Sequence, residues 1–367
     1  EVNPDIITDE MLAAFDKGVV QKFMADPMLE YTVDQAKGGC EVGTGEAMAE
    51  EDEMMDLSGF KVALLLPGSA NDQSWNQLAY DGVMAAKDNL GIEVAYSENV
   101  DQTVTVDAIR DYAEQGYDVI IGHSGSYEEA MVTLGPEYPD THMVIIAGSK
   151  GGGENVTAVD TAPWQVGFSE GYIAGLTTEN DYVAFITAGE GMQVMNNFVG
   201  SWKDGVAAAN PDATACVVYV TDWGDVAAAR EAATALFEDG ADVIMHELNR
   251  ATQGVIDACN ELGCLTNVRQ QDQIDGAPDI SIMGVDYAWD YRFTAVIQKI
   301  AKGELPGGAF FFGYNTPGEG FKYFYGDGEV NPDIITDEMM AAFDAGVVQK
   351  FLADPMLEYT VDQAKGG

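Results

Sequence analysis

The sequence predicts an α/β protein built on two parallel sheets, each covered by helices on both faces. The first observation is rhythm: apolar runs of strand length alternate with helical stretches, about one pair per 30 residues. The second is that runs such as "VALLL" and "MVII" are apolar throughout, as strands buried on both faces must be. The third is length, because 367 residues exceed what one core sustains and two lobes are expected.

The elements follow in order. "FKVALLLPG" is the first strand, and "SWNQLAYDGVMAAKDNLG" is a helix with Trp75, Leu78, Ala79, Gly82 and Val83 at helical spacing. "IEVAYSENV" is a strand, "TVDAIRDYAEQG" a helix ending on Gly116, and "YDVIIGHSG" another buried strand. "SYEEAMVTLGPEYP" and "HMVIIAGS" add one more helix and strand. Past "NVTAVDTAPWQVGFSEGYIAG" the alternation resumes with "DYVAFITAGE", "VMNNFVGSWKDGVAAANP", "ATACVVYVTDWG", "DVAAAREAATALFEDG" and "ADVIMHELN". "ATQGVIDACNELG" and "CLTNVRQQDQ" close that series. The aromatic, alternating "GGAFFFGYN" and "FKYFYGD" predict a hairpin or edge strands. A last helix begins after Thr336, a credible cap, with Asp337 and Glu338 suiting its positive first turn. Ile335 and Met340 are placed for a staple, and the helix should run to about Ala353, before Pro355.

Sixty-two acidic residues against 17 basic give a formal charge of −45, spread along the chain. Such a surface repels nucleic acid and anionic membranes, and with Lys so scarce it suits hydration in high salt. Four cysteines without a C-x-x-C pair, and only three histidines, give a metal site little support. Cys216 is expected in a buried strand, while Cys259 and Cys264 are either a local disulfide or two buried thiols. No apolar run reaches the roughly 18–20 residues that cross a bilayer. The "GGG" at 151–153 lacks the Lys-Ser/Thr of a phosphate-binding loop, and neither a nucleophile elbow nor a catalytic triad is visible. The expectation is a protein without a cofactor and without catalysis.

Ligands of open parallel sheets bind beyond the carboxyl ends of the strands. The loops there are "GSANDQSWN", "GHSGSY", "AGSKGGG", "TAGEGM", "VTDWGD" and "HELNRAT". They offer indoles, amides, hydroxyls and carboxylates with few cations, an inventory for a flat, neutral, hydroxylated solute. The candidates include Asp72, Trp75, Asn76, His123, Ser124, Trp223 and Asn249. Four of them have a plainer alternative: Asp72 as a cap of the following helix, Trp75 and Trp223 as packing residues at helix starts, and His123 as a brace of its loop.

"KVALLLPGSANDQSWNQLAYDGVMAAKDNLGIEV", with "GYDVIIGHS", "EGYIAGL" and "VTDWGDVAAAREAATALFEDGADVI", resembles the basic membrane protein family. These are purine nucleoside receptor-like substrate-binding lipoproteins of ABC importers, and the likeness covers about residues 58–355. It implies a type I periplasmic-binding protein fold, two Rossmann-like lobes joined by three crossovers and closing on a ligand by a hinge. By position it places the family's Asp and Asn on Asp72 and Asn76 and its stacking aromatic on Trp75. It puts a second aromatic on Trp202 or Trp223, an acid on Asp272, and a crossover aromatic on Trp289. The chain departs from the nucleoside receptors at Ala147 and Gly148, where they carry Asp, and at Gly284 and Asp286, where they carry Lys.

The resemblance implies an extracytoplasmic protein that serves an ABC permease and binds a nucleoside. Cys40 sits where a lipid anchor would be, although "AKGGC" lacks the usual upstream Leu. The expected divisions are a duplicated element at 1–39, an acidic tether at 40–57, lobe 1 at 58–160 plus 280–305, lobe 2 at 161–279 plus 306–335, and a C-terminal helix and tail at 336–367.

Residues 1–39 repeat 329–367 except at Leu12 against Met340, Lys17 against Ala345 and Met24 against Leu352. Both copies should compete for one groove on the body. The repeat fits an excerpt of a tandem array, an alternate-frame switch, or subunits that exchange the element through residues 1–39 or 329–367 into filaments. A copy with no docked role is the fourth reading.

Overall fold

The computed structural model describes residues 55–72, 75–312, 321–353 and 361–364. The first sheet contains β1 (Lys61–Leu65), β2 (Glu93–Ser97), β3 (Val119–Gly122), β4 (His142–Ile146), β5 (Val156–Thr161) and β11 (Gly308–Phe312). All its pairings are parallel, in the order β11-β5-β4-β3-β1-β2. Successive residues of a strand face opposite sides. Val62, Leu64 and Leu66 therefore enter one core with Val119, Ile121 and Val144, while Ala63 and Leu65 enter another with Ile120, Met143 and Ile145. Both faces being dry explains why these strands are continuously apolar.

The second lobe carries β6 (Tyr182–Thr187), β7 (Thr214–Tyr219) and β8 (Val243–Glu247), parallel in the order β7-β6-β8. Beside it lie β9 (Thr266–Val268), β10 (Ser281–Asp286) and β12 (Lys322–Phe324), in the order β12-β10-β9. A bridge between Val243 and Leu265 links the two groups.

The chain changes lobes between β5 and helix α4 (Pro163–Thr177), between β10 and helix α9 (Trp289–Lys302), and between β11 and β12. Two expected boundaries move accordingly. β10 pairs with β9 in the second lobe, not with lobe 1, and β11 pairs with β5 in the first lobe, not with lobe 2. Of the two expectations for this segment, edge strands is the one realised: β11 and β12 each lie at the edge of a different sheet, so they form no hairpin.

The remaining helices of the first lobe are α1 (Trp75–Leu90), α2 (Thr105–Glu114) and α3 (Glu128–Leu134). Those of the second are α5 (Gln193–Ala209), α6 (Val226–Glu238), α7 (Thr252–Leu262) and α8 (Gln271–Gly276). Cys259 and Cys264 form a disulfide at the end of α7, which decides between the two readings of that pair. Cys216 is half-buried in β7.

The C-terminal copy of the duplicated element is docked. Helix α10 (Asp337–Ala353) starts on Thr336, whose Oγ1 accepts from Met339 N at 3.2 Å. Ile335, Phe343, Val347 and Ala364 are buried in the second lobe's core, and Phe343 meets the rings of Tyr172 and Tyr323 edge-on. Asn331 Nδ2 donates to the carbonyls of Pro278 and Ser281. Residues 1–39 and most of the tether, with Cys40, lie outside the described residues.

Candidate functional site

A cleft of about 750 Å³ lies between the lobes, walled by the ends of strands from both. The first lobe contributes Gly68, Asp72, Trp75 and Asn76 after β1, Ser124 after β3, Ala147 after β4, and Asp160 and Thr161 of β5. The second contributes Met192, Met195 and Phe198 after β6, Asp222 and Trp223 after β7, and Glu247, Asn249 and Arg250 around the end of β8. Tyr287 enters from the second crossover.

Asp72 lines the cleft and also caps a helix, so the cap it was expected to form does not remove it from the wall. Its carboxylate accepts from the backbone N–H of Asn76 (3.2 Å) and Gln77 (3.0 Å), where the helix dipole favours negative charge. It also takes the side-chain amide of Asn76 at 2.7 Å, while Asn76 Oδ1 accepts from Gly68 N at 3.3 Å. The first loop is thereby pinned to its helix.

Trp75 is half-buried on the cleft wall, and His123 stands behind it. Their rings stack with centroids 4.2 Å apart. The indole N–H donates to His123 O at 3.2 Å, and His123 Nε2 reaches Trp75 O at 3.0 Å. Burial pushes His123 down to about 3, so its ring stays neutral. Trp289 meets Trp75 edge-on at 5.7 Å and stacks on Phe293 at 5.3 Å. This pile fixes the indole, so little side-chain entropy is left to lose on binding.

Four expected contacts are corrected. His123 is fully buried and supports Trp75 from behind, and Trp289, 4% exposed, stands in the same layer without lining the cleft. Trp202 is fully buried against Phe185 at 5.2 Å, and of the two alternatives only Trp223 lines the cleft. The Trp202 indole packs on Phe185 of β6, and burial of its large apolar surface, worth about 2–3 kcal/mol, outweighs an indole N–H left without a partner among the described residues. Asp272 is exposed on the short α8, away from the wall. Asp72, Trp75, Asn76, Ser124, Trp223 and Asn249 are brought together.

The structure adds three groups. Asp160 is 5% exposed, and burial raises its carboxyl to about 7, while Arg292 and Thr161 pull the other way. Glu247 is raised by burial as well, and its Oε2 accepts from Tyr287 at 3.0 Å and pairs with Arg269 at 2.6 Å. Arg269 is shared: it also reaches Glu170 of α4 at 3.0 and 3.2 Å and donates to His246 O. One guanidinium thus serves the fully buried Glu170 and the half-buried Glu247, and Glu170 is raised to about 7 by its burial. The sequence signal for Asp160 was a lone acid inside the apolar strand "VTAVDT", and the loop after β8 had already been marked.

The family model for PnrA-like ABC transporter substrate-binding proteins matches residues 60–347. The chain belongs to this Bmp family. Its fold agrees: a transcriptional activator of the comK gene from Bacillus halodurans superposes with a TM-score of 0.66 at 23% identity, covering 81% of this chain and 99% of that one. A solute-binding protein of an ABC transporter from Aeropyrum pernix K1 gives 0.64 at 19% identity, covering 83% and 88%.

Among Bmp-like relatives in sequence, the transcriptional activator protein med of Bacillus subtilis is 25% identical over 257 residues, 70% of this chain and 80% of its own length. Basic membrane protein A of Borreliella burgdorferi is 26% identical over 208 residues, 55% of this chain. A Haloferax volcanii protein provisionally named an ABC transporter glucose-binding protein is 25% identical over 225 residues, 61% of this chain. The match spans only 60% and 56% of the last two proteins' own lengths. Among the described residues of this Bmp chain, no helix is long and apolar enough to cross a membrane.

Proposed function

We propose that the chain captures a nucleoside-like solute between its lobes and delivers it to an ABC permease outside the cytoplasm. The observation that carries this reading is the braced indole of Trp75, set across a 750 Å³ cleft from apolar and aromatic residues of the other lobe. A planar base stacks on such a face, and the carboxylates and amides around it suit sugar hydroxyls. Anchoring through Cys40 belongs to the same reading. Thermal-shift screening against purine and pyrimidine nucleosides tests it, and a panel that leaves the melting temperature unmoved counts against the nucleoside. Once a ligand is found, Trp75→Ala should weaken binding by about 1–3 kcal/mol, or roughly 5- to 150-fold, by calorimetry.

A second reading concerns self-association by element exchange, up to filaments. Ile335, Phe343, Val347 and Ala364, which fill the second lobe's core, recur as Ile7, Phe15, Val19 and Ala36. The first copy thus carries the same buried set and could fill the groove of a neighbour, a head-to-tail contact that need not close. Sedimentation should then show concentration-dependent assembly that disappears when residues 1–39 are deleted. A monomer unaffected by the deletion would discard the exchange.

A further inference from the structure

Two acids from opposite lobes face the same cleft, and each keeps one oxygen without a hydrogen bond among the described residues. Asp160 ends β5 of the first lobe, and both of its hydrogen bonds, from Thr161 N at 2.7 Å and Thr161 Oγ1 at 3.3 Å, fall on Oδ1. Glu247 ends β8 of the second lobe, and Tyr287 and Arg269 both engage its Oε2. Asp160 Oδ2 and Glu247 Oε1 have no hydrogen-bond partner among the described residues.

Surface hydration in salt does not explain a carboxylate that is 5% exposed. Neither oxygen is among the fully buried polar atoms that lack a partner, so both are open to the cleft, where a solute that displaces water must bring donors in its place. The charge around each acid is already partly answered, by Arg292 near Asp160 and by Arg269 on Glu247. What the pair lacks is hydrogen-bond donors rather than a cation.

We propose that Asp160 and Glu247 form an inter-lobe clasp for a vicinal diol, one hydroxyl donating to each carboxylate and so drawing the lobes together on the solute. A ribonucleoside and a free sugar both carry this group. The inference rests on the cleft being the solute site and stands apart from the choice between those two sources.

Calorimetry on the full chain separates them, with adenosine, guanosine, uridine, their 2′-deoxy and 3′-deoxy forms, D-ribose and D-glucose as probes. The expected result is that at least one diol-bearing probe binds and that removing either hydroxyl weakens it about 10- to 100-fold. Asp160→Asn and Glu247→Gln should each weaken the parent solute and shrink the penalty for the missing hydroxyl. Nucleosides that stay silent while a free sugar binds would sink the nucleoside reading and leave the clasp standing. Nucleosides that bind equally well with and without the hydroxyls would keep that reading and overturn the clasp. Absence of binding by every diol-bearing probe would also overturn it. The analogue series needs no variant, so misfolding of either substitution leaves the test intact.

Discussion

Replacing Arg269 by methionine is expected to cost about 3–5 kcal/mol of folding stability at pH 8 and far less at pH 5. The guanidinium bridges Glu170 and Glu247, and removing it strands the fully buried Glu170 and the half-buried Glu247 without a cation. The pH dependence follows from the sign of the shift. Glu170 is raised to about 7 in the folded chain from an ordinary 4.5, so on acidification the native state takes up a proton before the unfolded chain does. The cost of burying this acid is therefore full above about pH 7 and fades as the pH falls toward 4.5. Without Arg269 the folded value climbs further and the window widens upward. Urea unfolding at several pH values reads the effect directly. The double variant Arg269→Met with Glu170→Gln should recover most of the loss at pH 8, because one of the stranded charges is then gone. The same network fixes Glu247 at the cleft, so the single variant should also weaken solute binding.

Gly171→Val should prevent folding or cost at least about 3 kcal/mol, at the upper end for overpacking. Helices α4 and α5 cross with backbone against backbone. A Cβ on Gly171 would run into the carbonyl oxygen of Trp202, and one on Gly167 into that of Phe198. From the other helix, a Cβ on Gly205 would meet the carbonyl of Phe168. A carbonyl of a rigid helix cannot turn aside as a side-chain tip can, so the helices must separate, and α4 is the helix that opens the second lobe at the first crossover. Gly276→Ala is the control, because nothing lies within 4 Å of its added carbon. Its melting temperature should stay close to that of the parent chain, whereas Gly171→Val should lose the cooperative transition.

The legible and illegible parts of the site differ for a physical reason. Asp72, Trp75, Asn76 and Trp223 line the cleft as their loops suggest, because loops after strand ends are where a doubly covered sheet leaves side chains unburied. His123 belonged to such a loop and still turned inward, since an imidazole beneath an indole gains stacking and a carbonyl partner that solvent would not supply together. Trp202 and Trp289 have helical spacing compatible with either the core or the cleft, and periodicity cannot tell which of two apolar surfaces a helix meets. Asp160 was passed over because it lies within a strand, and only the parting of the lobes at β5 makes that strand's end a wall of the cleft.

The order of strands and helices, the doubly buried first sheet and the cap at Thr336 follow from local periodicity and side-chain chemistry, which a sequence displays directly. Which sheet β10 and β11 join, which tryptophan lines the cleft, and how one arginine ties two acids together depend on contacts between residues far apart in the chain. Those contacts are set by which apolar surfaces can be buried at the same time, a condition that exists only once both lobes are assembled.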